Sequence, residues 1–482
     1  MPRLKLPKWN RIYVNRSLNM ASINCIGFDM DHTLVLYNRE NFESLAFRET
    51  LKKFIDAGYP DELSRLEFDP DSVIRGLMVD RKRGNLLKVD AHKYVKVAMH
   101  GRTILGKQER HRLYNSESFR PQDFLSIDTF FALSEVQLFT EIVDYMQKNP
   151  GKISKTFEEV YQDLRTFIDL SHRDGSIKTK VLAEPDKYFV KDKFRSDVLV
   201  HLINGDKRIF LLTNSHYDYS NEAMSYLYND ADPDFSDWKQ YFEYIIVASA
   251  KPGFFTGAAP FSKIANGGEP QEHSGPLETG SVYHGGNARL FQDLTNQKGD
   301  EILYVGDHIY GDIIRSKENL NWRTLLIVEE LDKQLPILEE LQPILEKIQT
   351  SIREREKIDE EAQRIRSRLR SNQRRLNLAP YRDDRKKSDN IRVIIDEHKE
   401  KLLVKEGELQ SMEKKIRKLI MERDVQIHPF WGELMRVGLE KSRFARQVEG
   451  YACLYTGRVT NMRFYSPFKR FVSPHDFMPH EG

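Results

Sequence analysis

Cysteine is nearly absent from this chain. Only Cys25 and Cys453 occur among 482 residues. Two thiols so far apart make no disulfide framework, and a reducing compartment is expected. There is no Cys-x-x-Cys pair and no Cys/His cluster, so no zinc site is expected. No run of about 18 apolar residues occurs, so no membrane-spanning helix is expected. The opening stretch, MPRLKLPKWNRIYVNRSLNM, has no continuous apolar region, which argues against a signal peptide. Nor does one sign of charge dominate: 75 Lys and Arg face 73 Asp and Glu, for a net charge of +2. That balance does not announce a nucleic-acid binder. A cytoplasmic globular protein, with neither nucleic acid nor membrane as partner, is the expectation these absences leave.

Hydrophobic residues make up 39% and aromatics 11%, too many for a disordered chain. Five short apolar runs stand out: Ile23–Phe28, Arg208–Leu212, Tyr244–Ala248, Glu301–Val305 and Thr324–Val328. Runs this short and apolar throughout suit strands buried on both faces of a parallel sheet. Helical patterns between them predict a doubly wound α/β core.

About 180 residues separate the first run from the second, far more than a crossover needs. An inserted, mainly helical cap is expected there, with helices near Thr129–Gln147 and Thr156–His172. The expected division is a core of residues 1–37 and 186–328, a cap of 38–185, a charged arm of 329–424 and a C-terminal segment of 425–482 that packs back on the core. The Gly-rich stretch Asn266–Asn287 reads as a surface excursion. In the arm, just under half the residues are charged and apolar residues recur sparsely. The pattern predicts a helical hairpin broken at Asn377–Ser388, serving as a solvated arm or as an oligomer or partner contact.

Four motifs carry chemistry, each at the end of an expected strand, where open α/β sheets place their ligands. FDMDHT brings Asp29 and Asp31. LLTNS brings Thr213 and Asn214. ASAKPGFF brings Lys251. VGDHIYGD brings Asp307 and Asp312. Carboxylates crowded on one edge repel unless a cation joins them. Oxygen ligands of this kind suit Mg²⁺, and a lysine with a hydroxyl suits phosphate.

This set resembles the haloacid dehalogenase (HAD) superfamily of aspartate-nucleophile phosphatases. TNSHYDYSNEAMSYL, KPGFF, YVGDHIYGDI, FARQVEGYACLY and MPHE look like segments of the cytosolic purine 5′-nucleotidases, which prefer IMP and GMP. The match runs from Phe28 to about Trp322 and again from about Phe444 to Glu481; it is poor in the arm. The resemblance implies a HAD-like doubly wound core and a Mg²⁺-dependent nucleotidase. Asp29 would attack phosphorus and Asp31 would act as general acid and then base. Mg²⁺ would be held by Asp29, Asp31 and Asp307, with Asp312 orienting its waters or Lys251. Thr213, Asn214 and Lys251 would bind phosphoryl oxygens. A nucleoside entering in place of water would accept the phosphate.

The resemblance also assigns base recognition to Phe131, Arg165, Asp169, His172 and Lys178. Arg165, Asp169 and His172 stand at i, i+4 and i+7, on one helical face. Arg165 can only donate hydrogen bonds, so it would favour a 6-oxopurine over adenine. A nucleotide effector is implied near Asp128, Tyr310, Glu318, Gln447, Gly450 and Tyr451, although Glu318 and Gly450 stand where basic residues are expected. A homo-oligomer, dimer or tetramer, is implied too. Two other readings stay open: a phosphatase of the same superfamily acting on another small phosphate ester, and a non-catalytic scaffold that uses the arm.

Overall fold

The computed structural model describes residues 6–114, 120, 123–264, 268–382, 384–474 and 481. Its central sheet has ten strands among the described residues: β1 (Tyr13–Val14), β2 (Cys25–Phe28), β3 (Arg208–Leu212), β4 (Tyr244–Val247), β5 (Phe261–Ile264), β6 (Gln271–Glu272), β7 (Ser281–Gly285), β8 (Ile302–Gly306), β9 (Arg323–Ile327) and β10 (Leu454–Thr456). They lie in the order β1-β10-β9-β8-β2-β3-β4-β7-β5-β6. The seven from β10 to β7 run parallel. Antiparallel β1, β5 and β6 close the edges.

Alternate residues serve the two faces, as a period of two demands. Ile26, Phe28, Leu211, Ile245 and Val305 are buried in one apolar layer. Cys25, Phe210, Leu212, Ile246 and Tyr304 are buried in the other. The register levels the strand ends. Phe28 pairs with Leu211 on one side and with Val305 on the other. The residues after β2, β3 and β8 therefore emerge at one edge.

All five expected strand runs are strands of this sheet. The Asn266–Asn287 segment is more than an excursion: its end, β7, is a parallel strand beside β4. Asn266 and Gly267 lie outside the described residues, as do Met478, Pro479 and His480 of the MPHE segment.

The chain between β2 and β3 holds helices α1 (Arg39–Asp56), α2 (Ala132–Lys148) and α3 (Phe157–Arg173). It also holds a five-stranded antiparallel sheet within Met78–Ser126, which the expectation of a mainly helical insert did not include. A capping box starts α3: Thr156 accepts from the Glu159 N–H, and Glu159 accepts from the Thr156 N–H. The start of α2 has no side-chain cap of its own. Glu43 of α1 supplies one, accepting the Ser134 N–H at 3.1 Å. Where the chain leaves and re-enters the core, Leu36–Tyr37 and Phe189–Val190 pair side by side.

Residues Pro336–Glu433 form a second compact unit. Its boundaries sit later than 329–424, because Leu331 is buried in the body and Glu330 pairs there with Arg75. The unit is a hairpin of α4 (Gln342–Leu376) and α5 (Arg385–Ile427). Its ion pairs Glu354–Lys415, Arg355–Glu413, Glu361–Lys405 and Arg366–Glu406 show the helices antiparallel. Among the described residues no helix is long and apolar enough to cross a membrane.

Candidate active site

The strand-end residues meet at one cleft of about 730 Å³. Lys251 lies at its centre. Its Nζ is 2.8 Å from Asp29 Oδ1 and 2.9 Å from Asp312 Oδ1, and it donates to the Tyr304 hydroxyl at 2.9 Å. Burial works against the lysine's charge, but Asp29 and Asp312 more than offset it and hold its pKa well above the usual value. Asn214 fixes the loop that carries Lys251: its Oδ1 accepts from the Lys251 N–H at 2.6 Å, and its Nδ2 donates to the Lys251 carbonyl at 3.1 Å. Gly306 is needed for this packing, since a Cβ there would lie 2.4 Å from Asp312 Oδ2.

Asp29 Oδ1 also accepts the Met30 N–H at 2.7 Å. Burial, with Asp312 and Asp31 nearby, pushes the Asp29 carboxyl up to about 8 despite Lys251. Asp31 accepts from the Tyr37 hydroxyl and from Ser215 Oγ at 3.0 Å. Thr213 is fully buried and lies off the cleft surface, its Oγ1 accepting the Ser215 N–H at 3.0 Å.

Asp307 is held from the inserted segment. Arg75, fully buried, donates to the Asp307 carbonyl at 2.9 Å, and its other nitrogens donate to both oxygens of Glu330. Among the described residues Asp307 Oδ2 has no hydrogen-bond partner, with Arg75 Nη1 at 3.7 Å. Burial raises the Asp307 pKa well above the usual carboxylate range. Oxygens of Asp29, Asp307 and Asp312 lie within 4.8 Å of one another. Three buried carboxylates around one lysine, one of them with an orphaned oxygen, fit a hard divalent cation such as Mg²⁺.

The other wall belongs to the inserted segment. Phe131 stands at the start of α2, edge-on to His172 at 6.1 Å between ring centroids. Arg165, Asp169 and His172 share one face of α3 and, with Phe131 and Lys178, line the same cleft as the carboxylates. Asp169 pairs with Arg165 at 2.8 Å, and buried Glu135 accepts from the other Arg165 terminal nitrogen at 2.5 Å. Burial, helped by Lys178, pulls His172 down to about 4, so its ring is neutral at pH 7.

Tyr37, Arg75, Glu135, Ser215 and Tyr304 were not singled out in the sequence. Tyr37 lies six residues from Asp31; Arg75 and Asp307 are 232 residues apart and share no local signal. Five of the six effector-region residues, all but Glu318, line a second cleft of about 1310 Å³.

The family model described as "5′ nucleotidase family" matches residues 12–482. A 5′-nucleotidase domain-containing protein of Dictyostelium discoideum is 25% identical over 485 residues, covering 98% of this chain and 74% of that protein. Among solved structures, a predicted phosphatase from Clostridium acetobutylicum aligns with 65% of this chain and 86% of its own at 13% identity and TM-score 0.27. A predicted phosphoglycolate phosphatase from Haemophilus somnus 129PT aligns with 64% and 87% at 12% identity, also with TM-score 0.27. Likenesses this slight add nothing to the fold read from the sheet. The family match spans nearly the whole chain, and the chain belongs to the 5′ nucleotidase family of phosphoric monoester hydrolases.

Proposed function

We propose that the protein is a Mg²⁺-dependent 5′-nucleotidase that hydrolyses purine nucleoside 5′-monophosphates: IMP, GMP and their deoxy forms. The single observation that carries this reading is that the carboxylate cluster and the aromatic and basic face of α3 line one cleft. Asp29, held at Oδ1 by Lys251 and the Met30 N–H, attacks phosphorus in line and forms an aspartyl-phosphate. Asp31 gives a proton to the leaving 5′-oxygen, then takes one from the water that hydrolyses the intermediate. Tyr37 and Ser215 hold Asp31 in place for both steps. Lys251 and Asn214 serve the phosphoryl group, Lys251 countering its charge. Asp29, Asp307 and the Asp31 backbone carbonyl would hold Mg²⁺, with Asp312 keeping Lys251 aimed. When bound, the ion supplies positive charge against the phosphoryl oxygens. A nucleoside hydroxyl in place of water makes the second step a phosphotransfer.

In the recognition wall Phe131 stacks on the base, and Arg165 donates to the purine O6. A guanidinium has five N–H donors, so its bonds to Glu135 and Asp169 aim it and still leave donors free. A nucleotide effector belongs in the second cleft, where Arg16, Lys93, Arg443 and Arg446 supply the cations that Glu318 and Gly450 do not.

The test is phosphate release from IMP, GMP, AMP, CMP and glucose 6-phosphate, with Mg²⁺ and with EDTA, adding ATP or GTP as activator. Mg²⁺-dependent release from IMP and GMP is expected. Release from the sugar phosphate alone would overturn the reading of the recognition wall.

A further inference from the structure

The arm carries a second apolar stripe that the hairpin does not use. On α5 the inner face is Ser388, Ile391, Ile395, Ile416 and Arg423, all buried. The opposite face is exposed throughout: Asp389, Val393, Asp396, Glu400, Leu403, Val404, Gly407, Ser411, Lys414, Lys418, Met421 and Val425. From Val393 on, with Leu403 and Val404 side by side as one position, these positions recur in steps of three and four, about 3.6 residues on average, so they form a straight stripe about 50 Å long. Five of them are large apolar side chains at least 59% exposed: Val393, Leu403, Val404, Met421 and Val425. Among the described residues α4 exposes no large apolar side chain. The stripe therefore belongs to one helix and is not a general property of the arm.

Its charges are segregated. The acidic pair Asp396 and Glu400 lies before Gly407, and the basic pair Lys414 and Lys418 lies after it. Among the described residues Glu400, Lys414 and Lys418 have no ion-pair partner; Asp396 meets only its neighbour Lys399. About Gly407 the order is self-complementary. A second α5 laid antiparallel, with a two-fold axis at Gly407, sets Asp396 against Lys418, Glu400 against Lys414 and Val393 against Met421. Gly407 then faces Gly407, with Ser411 close by, so small residues lie where the helices approach most closely. A parallel pairing would set each charge against its like.

We infer that α5 is an isologous contact by which two copies of this chain associate, antiparallel about Gly407. The contact uses neither cleft, so it stands or falls apart from the nucleotidase reading. The resemblance to purine nucleotidases is poor in the arm and does not supply it.

Cross-linking of the full chain tests the register directly and is insensitive to any other interface. Cys25 and Cys453 are buried and give no background. A Cβ at Gly407 meets nothing within 4 Å, so Gly407→Cys is tolerated. Under mild oxidation Gly407→Cys is expected to form a disulfide-linked dimer at least about tenfold faster than Lys401→Cys, an exposed site off the stripe. Adding K414E/K418E should remove that advantage, as should D396K/E400K. Mixing the two charge-reversed Gly407→Cys chains should restore it, since every cross-pair is again of opposite sign. Cross-linking of Gly407→Cys no faster than of Lys401→Cys, or no recovery on mixing, would overturn the proposal.

Discussion

The floor and the helical wall of the cleft are built by different rules. The floor sits on strand ends, and its charged groups are buried: Lys251, Asp29, Asp307 and Asp312, with Arg75 beneath. Each is held by at least one other charge, and the excess of carboxylates calls for a cation. The wall sits on helices, and its main cation, Arg165, is 47% exposed. Its polar groups are aimed by neighbours more than they are locked. A buried floor fixes chemistry, because a displaced charge there costs stability as well as rate. A half-exposed wall can change selectivity cheaply, because water covers what a substitution uncovers.

Substitutions on the two sides should separate along that line. Arg75→Met should cost most, about 3–5 kcal/mol of unfolding free energy, because it strands Glu330 and Asp307 without their buried partner. Urea unfolding measures it; a loss under 1 kcal/mol would show that the floor is not charge-locked. Lys251→Met should lower kcat/KM for IMP by about 100- to 1000-fold, and a fall shared by every substrate would place the defect in the chemistry. Arg165→Ala should lower kcat/KM for IMP by about 10- to 100-fold and narrow the gap between IMP and AMP; it should cost less stability than Arg75→Met, because the Tyr161 hydroxyl still donates to buried Glu135. Unchanged IMP/AMP discrimination would remove Arg165 from base recognition.

A further effect should depend on pH. Glu43, fully buried under the start of α2, is pushed up to about 7 by burial. Its folded form holds a proton that the unfolded chain releases above about pH 4.5, so its contribution to stability falls as pH rises from there to about 7. Glu43→Gln should therefore gain on the parent chain across that window, by about 3 kcal/mol in total, and level off above it. A constant difference from pH 5 to 8, followed by denaturant titration, would contradict the assignment.

The floor was the more legible half in the sequence. Each of its strands is a short, mainly apolar run followed at once by a carboxylate or hydroxyl or, after Val247, by Lys251 four residues on, so local pattern places the chemistry. β7 escaped because Ser281–Gly285 mixes polar and apolar residues inside a Gly-rich stretch. β10 is only three residues long and lies after the arm, with nothing local to mark its pairing with β9. The sheet within Met78–Ser126 escaped because Met78–Asp80 and Asn85–Val89 are buried at every position, polar Asp80, Asn85 and Lys88 included, so they show no alternation of period two. Arg75, Glu43 and Glu135 escaped for a different reason: their partners come from distant parts of the chain. The α3 face was readable from its i, i+4, i+7 spacing, but the structure shows Asp169 bonded to Arg165, which spacing alone did not distinguish from a contact with the base.

The central claim is that Asp29 is the nucleophile of the carboxylate floor. The direct measurement is acid quench of the protein with Mg²⁺ and IMP labelled in its phosphate, followed by peptide mapping. The label should appear on the peptide containing Asp29 and vanish in Asp29→Asn together with phosphate release. Full phosphate release by Asp29→Asn, or label on another residue, would contradict it.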